Sequence, residues 1–345
     1  MAFLMETAFK DPAIKSLLFL FGNVLLFIFI ISFVHSWTYT LIYIIIQIVI
    51  FRLINERLRS GHSYTSTKNL NNQTVIVTGA ASGIGRITAI ELATLHARVI
   101  VGIRNQTRAE RIAQELSKES NGNVIGYHLD LSDLASVKAF AEKIDKVDIL
   151  INNAGVMKGH KEFTKDGLES TFGTNHIGHF YLTQLLLPLL IKSNGRIVNV
   201  SSLGHVFVKE NTDFIHSNSY DPFQAESESK LANILHANEL QRRYGNQGIK
   251  AYSLSPGRVG TTGITRDNKS YKMLIISLLS KIISKSIRQG AMTTLYCALS
   301  DEAQPGKFHS NCQVAQPSSI ASDSKKAREL WELSEKIIHE KTEHL

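Results

Sequence analysis

The sequence predicts an α/β domain built on a doubly wound parallel sheet, with a membrane-anchoring leader in front of it. Three observations carry this. Short apolar runs alternate with amphipathic stretches from residue 74 to residue 254, the pattern of strands joined by crossover helices. The first apolar run leads directly into Thr78-Gly79-Ala80-Ala81-Ser82-Gly83-Ile84-Gly85, a glycine turn that opens a helix. Ahead of both, residues 16–51 contain no Asp, Glu, Lys or Arg.

The leader comes first. Residues 17–34 are apolar enough to span a bilayer. His35 and Ser36 make a polar dip, and residues 37–51 form a second apolar run with Trp37, Tyr39 and Tyr43 near its start. One straight helix over residues 16–51 would be about 54 Å long, too long for a hydrocarbon core of about 30 Å. Two helices meeting near His35 fit better. Lys10 and Lys15 precede the stretch and Arg52, Arg57 and Arg59 follow it, so both outer ends are expected in the cytosol. One spanning helix followed by an interfacial segment is the competing arrangement. A cleaved signal peptide is not expected, because the apolar region is too long and no small-x-small site follows it. Residues 1–60 are thus assigned to the anchor and its flanks, 61–72 to a polar linker and 73–345 to the catalytic domain.

Composition limits the rest. The chain has 345 residues, and without its leader it suits one α/β domain. Its two cysteines, Cys297 and Cys312, exclude a disulfide framework and fit a reducing compartment. The net charge is +8. No Lys/Arg stripe with interleaved aromatics is present, which argues against nucleic acid, whereas a basic surface suits anionic lipid. The triplets Asn72-Gln73-Thr74 and Asn105-Gln106-Thr107 match the glycosylation pattern. Glycans at a first strand and beside a ligand loop would obstruct both, which favours a cytosolic domain on an intracellular membrane such as the endoplasmic reticulum. The sequence carries no signal for oligomeric state.

Strands are expected over residues 74–78, 98–102, 124–128, 148–151, 196–201 and 249–254. Helices are expected over 84–95, 108–119, 134–144, 168–191, 227–244 and 325–340. In the first turn Gly79 allows a tight bend, Gly83 allows close approach of a pyrophosphate, and Gly85 allows the helix to pack on the strand. Thr78, Ser82 and Ile84 share this loop, and the helix start offers N–H groups and a positive dipole end to phosphates. After the second strand comes Arg104 where an acidic residue would select a free ribose hydroxyl. This favours NADP(H) over NAD(H). Asp130, after the third strand, can bond the adenine amino group or cap the helix that begins near Asp133. His176 and His179 have no Glu or Cys partner at ligand spacing and read as ordinary helix residues, so no metal site is expected.

Further runs follow at the strand ends: Asn152-Asn153-Ala154-Gly155, then Asn175 within Thr174-Asn175-His176, Ser201-Ser202, Ser229-Lys230-Leu231-Ala232-Asn233, and Pro256-Gly257-Arg258-Val259-Gly260-Thr261. With the T-G-x-x-x-G-x-G loop, this set resembles the short-chain dehydrogenase/reductase family, in its retinol-dehydrogenase-like branch. The resemblance runs from about residue 69 to the last helix. It implies a Rossmann-type domain in which Asn152, Ala154 and Gly155 support the central sheet and line the cofactor. It implies that the carbonyl of Asn175 holds a water in a proton relay and that Ser202 bonds the substrate oxygen. Lys230 would serve both cofactor and proton transfer. Pro256, Gly257, Val259 and Thr261 would meet the nicotinamide and the pyrophosphate.

The family's Tyr-x-x-x-Lys is broken here, because Glu226 stands four residues before Lys230. A carboxyl with a reference pKa of about 4.3 is ionised at neutral pH, a neighbouring lysine should lower it further, and only strong desolvation could raise it enough. Such a group cannot give a proton to a carbonyl, although it can act as a base in alcohol oxidation. Tyr220, His205 and His216 are unsupported as substitutes. Three accounts follow: a silent cofactor binder, a weakened oxidation through Glu226, or a sequence variant at this position. Residues 262–288 sit where the branch carries its substrate loop. Their apolar stretch, 273–283, is edged with Lys272, Lys281, Lys285 and Arg288, as expected for a lid or a bilayer-resting helix. The expected function is an anchored oxidoreductase acting on a lipophilic alcohol or carbonyl, retinoid-, steroid- or lipid-like. The alternative is a silent cofactor- or lipid-binding membrane protein.

Overall fold

The computed structural model describes residues 12–31, 37–59, 63–210, 212, 214, 220–257, 259 and 284–344. Two helices come first, α1 (Pro12–Ile31) and α2 (Trp37–Arg59). They pack on each other, with the Phe27 ring stacked on Tyr43 at 3.6 Å between centroids. The expected turn at His35 lies outside the described residues. Among the described residues no helix is long and apolar enough to cross a membrane.

The domain is the expected parallel sheet. Strands β1 (Thr74–Thr78), β2 (Arg98–Ile103), β3 (Asn123–His128), β4 (Ile149–Asn152), β5 (Arg196–Val200) and β6 (Lys250–Ser255) lie in the order 3-2-1-4-5-6. All five residues of β1 are buried, because helices cover both faces and leave no polar side. Its alternate residues feed two cores. Val75 and Val77 pack with α3 (Gly83–Thr94), α4 (Gln106–Ser120) and α8 (Ile287–Leu299). Ile76 packs with α5 (Leu134–Ala141), α6 (Gly178–Lys192), α7 (Pro222–Tyr244) and α9 (Ser324–Thr342). The strand order reverses between β1 and β4, which opens a crevice at their carboxyl ends.

The structure departs from expectation in four places. The sheet continues into β7 (Phe308–Ser310) and an antiparallel β8 (Gln313–Val314), strands too short to show a period of two. The helix α8 was not expected, although Ser286 and Gln289 form a reciprocal capping box at its start. The single helix expected over 168–191 is interrupted by a π-helical turn at Gly173–Ile177. Finally, the polar linker is no free tether. Leu70 is buried and its N–H donates to Leu95 O at 2.8 Å. Lys68 Nζ donates to Leu299 O at 2.8 Å and to Asp301 at 2.7 Å, and Tyr64 meets Tyr296 edge-on. Polar composition removes periodicity, but it does not prevent side-chain docking.

Candidate active site

The glycines of the first turn each meet a different demand. Gly79 has φ +70°, and a Cβ there would lie 2.8 Å from Ala154 Cα. At Gly85 a Cβ would run into Asn153 Nδ2 and come within 2.6 Å of Gly79 O. Gly83, with φ +61°, faces open space. Ser82 precedes α3 and its hydroxyl makes no capping bond. An uncapped helix start beneath an open glycine fits a pyrophosphate.

Thr78 locks this loop to the sheet. Its hydroxyl oxygen accepts from Asn153 N at 2.9 Å and Ala154 N at 3.0 Å, and it lies 2.8 Å from His179 Nε2. Asn153 Nδ2 donates back to Thr78 O at 2.8 Å. His179 Nδ1 lies 2.9 Å from Asn175 O. A carbonyl only accepts, so Nδ1 carries the proton and Nε2 takes the Thr78 hydroxyl proton. Burial holds His179 down to about 4, which keeps it neutral. The Thr78 and Asn152 side chains are thus occupied inside the fold. Asn152 is buried, and its amide donates to Thr183 Oγ1 at 3.0 Å and Asn199 Oδ1 at 2.9 Å. The expectation that Asn152 lines the cofactor is corrected, since Asn152 is buried and bonded inward, whereas Ala154 and Gly155 are only partly buried.

Arg104 is exposed at the end of β2, followed by Asn105, which caps α4 by accepting from Arg108 N at 2.9 Å. Asp130 caps no helix. Its Oδ1 accepts from Ser132 N at 3.0 Å and Ser132 Oγ at 2.7 Å, and Asp133 is the cap of α5.

Four elements converge on Lys230. It sits on α7, 5% exposed, with Nζ 3.4 Å from Val200 O. A Cβ on Gly155 would lie 3.2 Å from Lys230 Nζ and 3.7 Å from Asn175 Oδ1, so glycine lets them approach. Asn175 is held in the π turn. Its Oδ1 accepts from Val156 N at 2.8 Å, and its Nδ2 donates to Val156 O at 2.9 Å and Ser229 Oγ at 3.0 Å. One lone pair of its carbonyl, the expected water site, goes to His179. Ser202 Oγ accepts from Gly204 N at 3.1 Å. His205 fixes the serine from behind, with Nδ1 donating to Ser202 O at 2.6 Å and Nε2 accepting from Ser318 N at 3.2 Å. His179 and His205 are positioning residues that sequence reading missed. The only signal for His179 was its spacing of four from Asn175.

Glu226 lies one turn before Lys230 on the same face of α7. Burial pushes its carboxyl above the usual range, although Lys230 pulls it down. Burial also pushes Lys230 below the usual lysine range, with Glu226 opposing. The expectation that the lysine would dominate is corrected, because removing both groups from water outweighs their attraction. Tyr220 does not take the missing place: its hydroxyl donates to Lys158 O at 2.8 Å and lies 3.3 Å from Thr171 Oγ1. His216 lies outside the described residues, as do Thr261 and the apolar stretch 273–283.

After β6 come Pro256 and Gly257, the latter at φ +78° with space for a Cβ only 3.3 Å from Lys285 Cε. Val259 pairs with Lys285 in a parallel bridge. Gly290 leaves room for it, since a Cβ there would strike Val259 Cγ2 and lie 3.3 Å from Ile84 Cγ1. The end of β6 therefore folds over the start of α3.

The glycine turn and the segment carrying Ser202 and Lys230 thus both stand at the carboxyl ends of the strands, where the strand order reverses. The short chain dehydrogenase family model matches residues 73–272. Mouse (Mus musculus) Retinol dehydrogenase 12 is 40% identical over 81% of this chain and 90% of its own length. Human (Homo sapiens) Retinol dehydrogenase 11 is 41% identical over 81% and 90%. An uncharacterized protein from Mycobacterium Paratuberculosis superposes with a TM-score of 0.66 at 36% identity, over 80% of this chain and 97% of that one. The chain belongs to the short-chain dehydrogenase family, in its retinol-dehydrogenase-like branch.

Proposed function

We propose that this chain is a membrane-anchored oxidoreductase that prefers NADP(H) and interconverts a lipophilic alcohol and its carbonyl. Turnover at a carbonyl is held down by Glu226. The observation that carries the reading is the convergence of Lys230, Asn175 and Ser202 on the crevice beside an open Gly83.

The residues fit a dinucleotide. Ser82, Gly83 and the first N–H groups of α3 would hold the pyrophosphate. Arg104 would face a ribose 2′-phosphate, and no carboxylate at the end of β2 opposes one. Val259 would pack beside the nicotinamide, and Thr261 would extend the same run toward the phosphates. When bound, the nicotinamide supplies or accepts the hydride. Ser202 would donate to the substrate oxygen, with its backbone held by His205. Lys230 would contact the nicotinamide ribose and raise the local positive potential. Glu226 would accept a proton from an alcohol, but as a carboxylate it has none to give a ketone.

Anchoring rests on the leader. Its outward faces are apolar, with Phe19, Phe21, Leu25, Tyr39, Leu41 and Ile45 all exposed. Such surface is stable in lipid rather than in water. Residues 16–51 lack charge, and α1 packs on α2 through Phe27 and Tyr43. The named relatives act on retinol, so a retinoid is the first substrate to try. A silent cofactor binder is the second reading, favoured by Glu226 alone.

NADPH oxidation against retinals and keto-steroids, for the wild type and Glu226→Tyr, tests the proposal. A restored phenol should raise carbonyl reduction by about 10²-fold or more, the usual worth of a general acid. Wild-type turnover equal to that of the variant defeats the account of position 226. Thermal protection by NADPH without turnover in either protein selects the silent binder.

A further inference from the structure

Exposed apolar side chains gather at one end of the domain. Among the described residues from 63 onward, the large hydrophobics left in water are Phe163, Leu203, Phe207, Phe223 and Val314. Phe163 lies in the segment after β4, and Leu203 and Phe207 lie in the segment after β5. Phe223 is in the first turn of α7, and Val314 follows the end of β7. Each stands beyond the carboxyl end of a strand, where the crevice opens. Leu203 directly follows Ser202, and Phe223 is one turn before Glu226 on α7. The Phe207 and Phe223 rings, each 51% exposed, pack at 5.3 Å between centroids. Single exposed hydrophobics are ordinary, but their confinement to one face marks a surface that something covers.

The path of the linker identifies the cover. Helix α8 runs from the carboxyl end, where a Cβ on Gly290 would meet Ile84 at the start of α3, to the amino end, where Ser300 O accepts from Arg196 at the start of β5. The linker climbs this helix in reverse. Leu70 is tied to Leu95 O and Lys68 to Leu299 O at the amino end. Tyr64 packs on Tyr296 one turn higher, and its N–H meets the thiol of Cys312, just beyond β7. Arg59, the last residue of α2, is five residues before Tyr64, at most about 18 Å of chain. The apolar leader thus leaves the domain toward the end that carries the exposed aromatics.

We infer that the carboxyl-end face of the domain lies on the bilayer, with Leu203, Phe207 and Phe223 in the lipid interface, so that the crevice opens to the membrane. The inference rests on the anchoring reading and deepens it: the leader holds the chain to lipid, and this face sets how the domain stands. Phe163 belongs to the same end, with Lys161 Nζ over its ring at 5.9 Å, a pair whose apolar parts suit the interface while the ammonium reaches the headgroups. Glu162 follows Lys161 and Glu210 follows Lys209, so charge of both signs borders the face and its hold is on apolar lipid. A lipophilic substrate dissolved in the bilayer reaches Ser202 without crossing water.

Labels on single introduced cysteines test this in the full chain, reconstituted in neutral phosphatidylcholine vesicles. Cys297 and Cys312 are buried and burial pushes their thiols above the usual range, so a fluorophore goes to the introduced site. Phe207→Cys and Phe223→Cys report from the patch, and Lys118→Cys, exposed near the end of α4, reports from the opposite end. Interfacial apolar groups sit about 5–10 Å deep, so lipid with a nitroxide near the head of its acyl chain should cut the emission of both patch labels at least about twofold. The Lys118→Cys label should be unchanged by this lipid and quenched by aqueous iodide. Melting temperatures establish that the variants are folded, and either patch label decides if the other fails to fold. Patch labels quenched by iodide and not by lipid overturn the inference, as does equal lipid quenching at all three sites. Patch labels reached by neither quencher also overturn it, because protein, from the same chain or a second copy, would then cover the face. Flotation with the vesicles is measured in parallel. Failure to float defeats the anchoring reading together with the inference, whereas flotation with patch labels unquenched by lipid defeats only the orientation.

Discussion

His179 Nε2 and Thr78 Oγ1 lie 2.8 Å apart, and this bond ties the first residue of the nucleotide loop to the helix behind the site. The same hydroxyl satisfies two backbone N–H groups of the Asn152-Asn153-Ala154-Gly155 run. Thr78→Val keeps the shape and removes every one of these bonds. It should destabilise the domain by about 2–4 kcal/mol, because buried donors lose their acceptor. Urea unfolding measures this. Thr78→Ser should recover most of the loss.

Gly79 and Gly83 both have positive φ, yet alanine should affect them differently. At Gly79 the new methyl meets backbone at 2.8 Å, so Gly79→Ala should give little folded protein. Gly83 faces open space, so Gly83→Ala should cost only the left-handed strain of about 1–2 kcal/mol. The methyl would then stand where a pyrophosphate belongs, and the NADPH Kd should rise at least about tenfold. Calorimetry on the folded variant decides this.

Arg104 sets the cofactor preference under the proposed reading. Arg104→Asp removes a phosphate partner and adds a repulsive charge. The NADPH Kd should rise by about tenfold or more while NADH binding is unchanged or improved. Equal losses for both dinucleotides would remove Arg104 from the site.

Acid should unfold the domain through its buried histidines. Burial lowers His176 to about 3 and His179 to about 4. The unfolded chain binds protons near 6.5, the folded one far below. Stability is therefore full above about pH 6.5 and falls as pH drops toward 4. His179 alone accounts for about 3 kcal/mol across that window. Replacement of His179 by Gln should reduce the fall of the melting temperature between pH 6 and 4.5, with His176 accounting for what remains.

Glu226 has the opposite sign. Its folded pKa is raised, so the stability it contributes is present below the unfolded value and is lost as pH rises through the folded one. Glu226→Gln should therefore raise the melting temperature at pH 8 and leave it nearly unchanged at pH 4. An unchanged melting temperature at both would show that the carboxyl is solvated.

Much of this was legible along the chain. The alternation of strand and helix gave the sheet and six strands within a residue or two, because core strands buried on both faces must be apolar. The glycine spacing located the cradle, because only glycine permits a positive φ or a near contact there. Lys230, Ser202 and Glu226 were each visible as sequence positions. The capping box of Ser286 and Gln289 passed unread, and α8, which it starts, was not expected.

The sequence by itself determined the fold class, the loop that opens α3 and the break at residue 226, all of which depend on local pattern and residue type. Tertiary structure alone decided which side chains are spent inside the fold. It buried Asn152 against Thr183 and Asn199, tied the Asn153 amide to Thr78 O, drew His179 and His205 behind the site, and docked the linker beside α8. It also reversed the expected shift of Glu226. Burial is a sum over distant neighbours, and no spacing of residues along the chain records how much water those neighbours exclude.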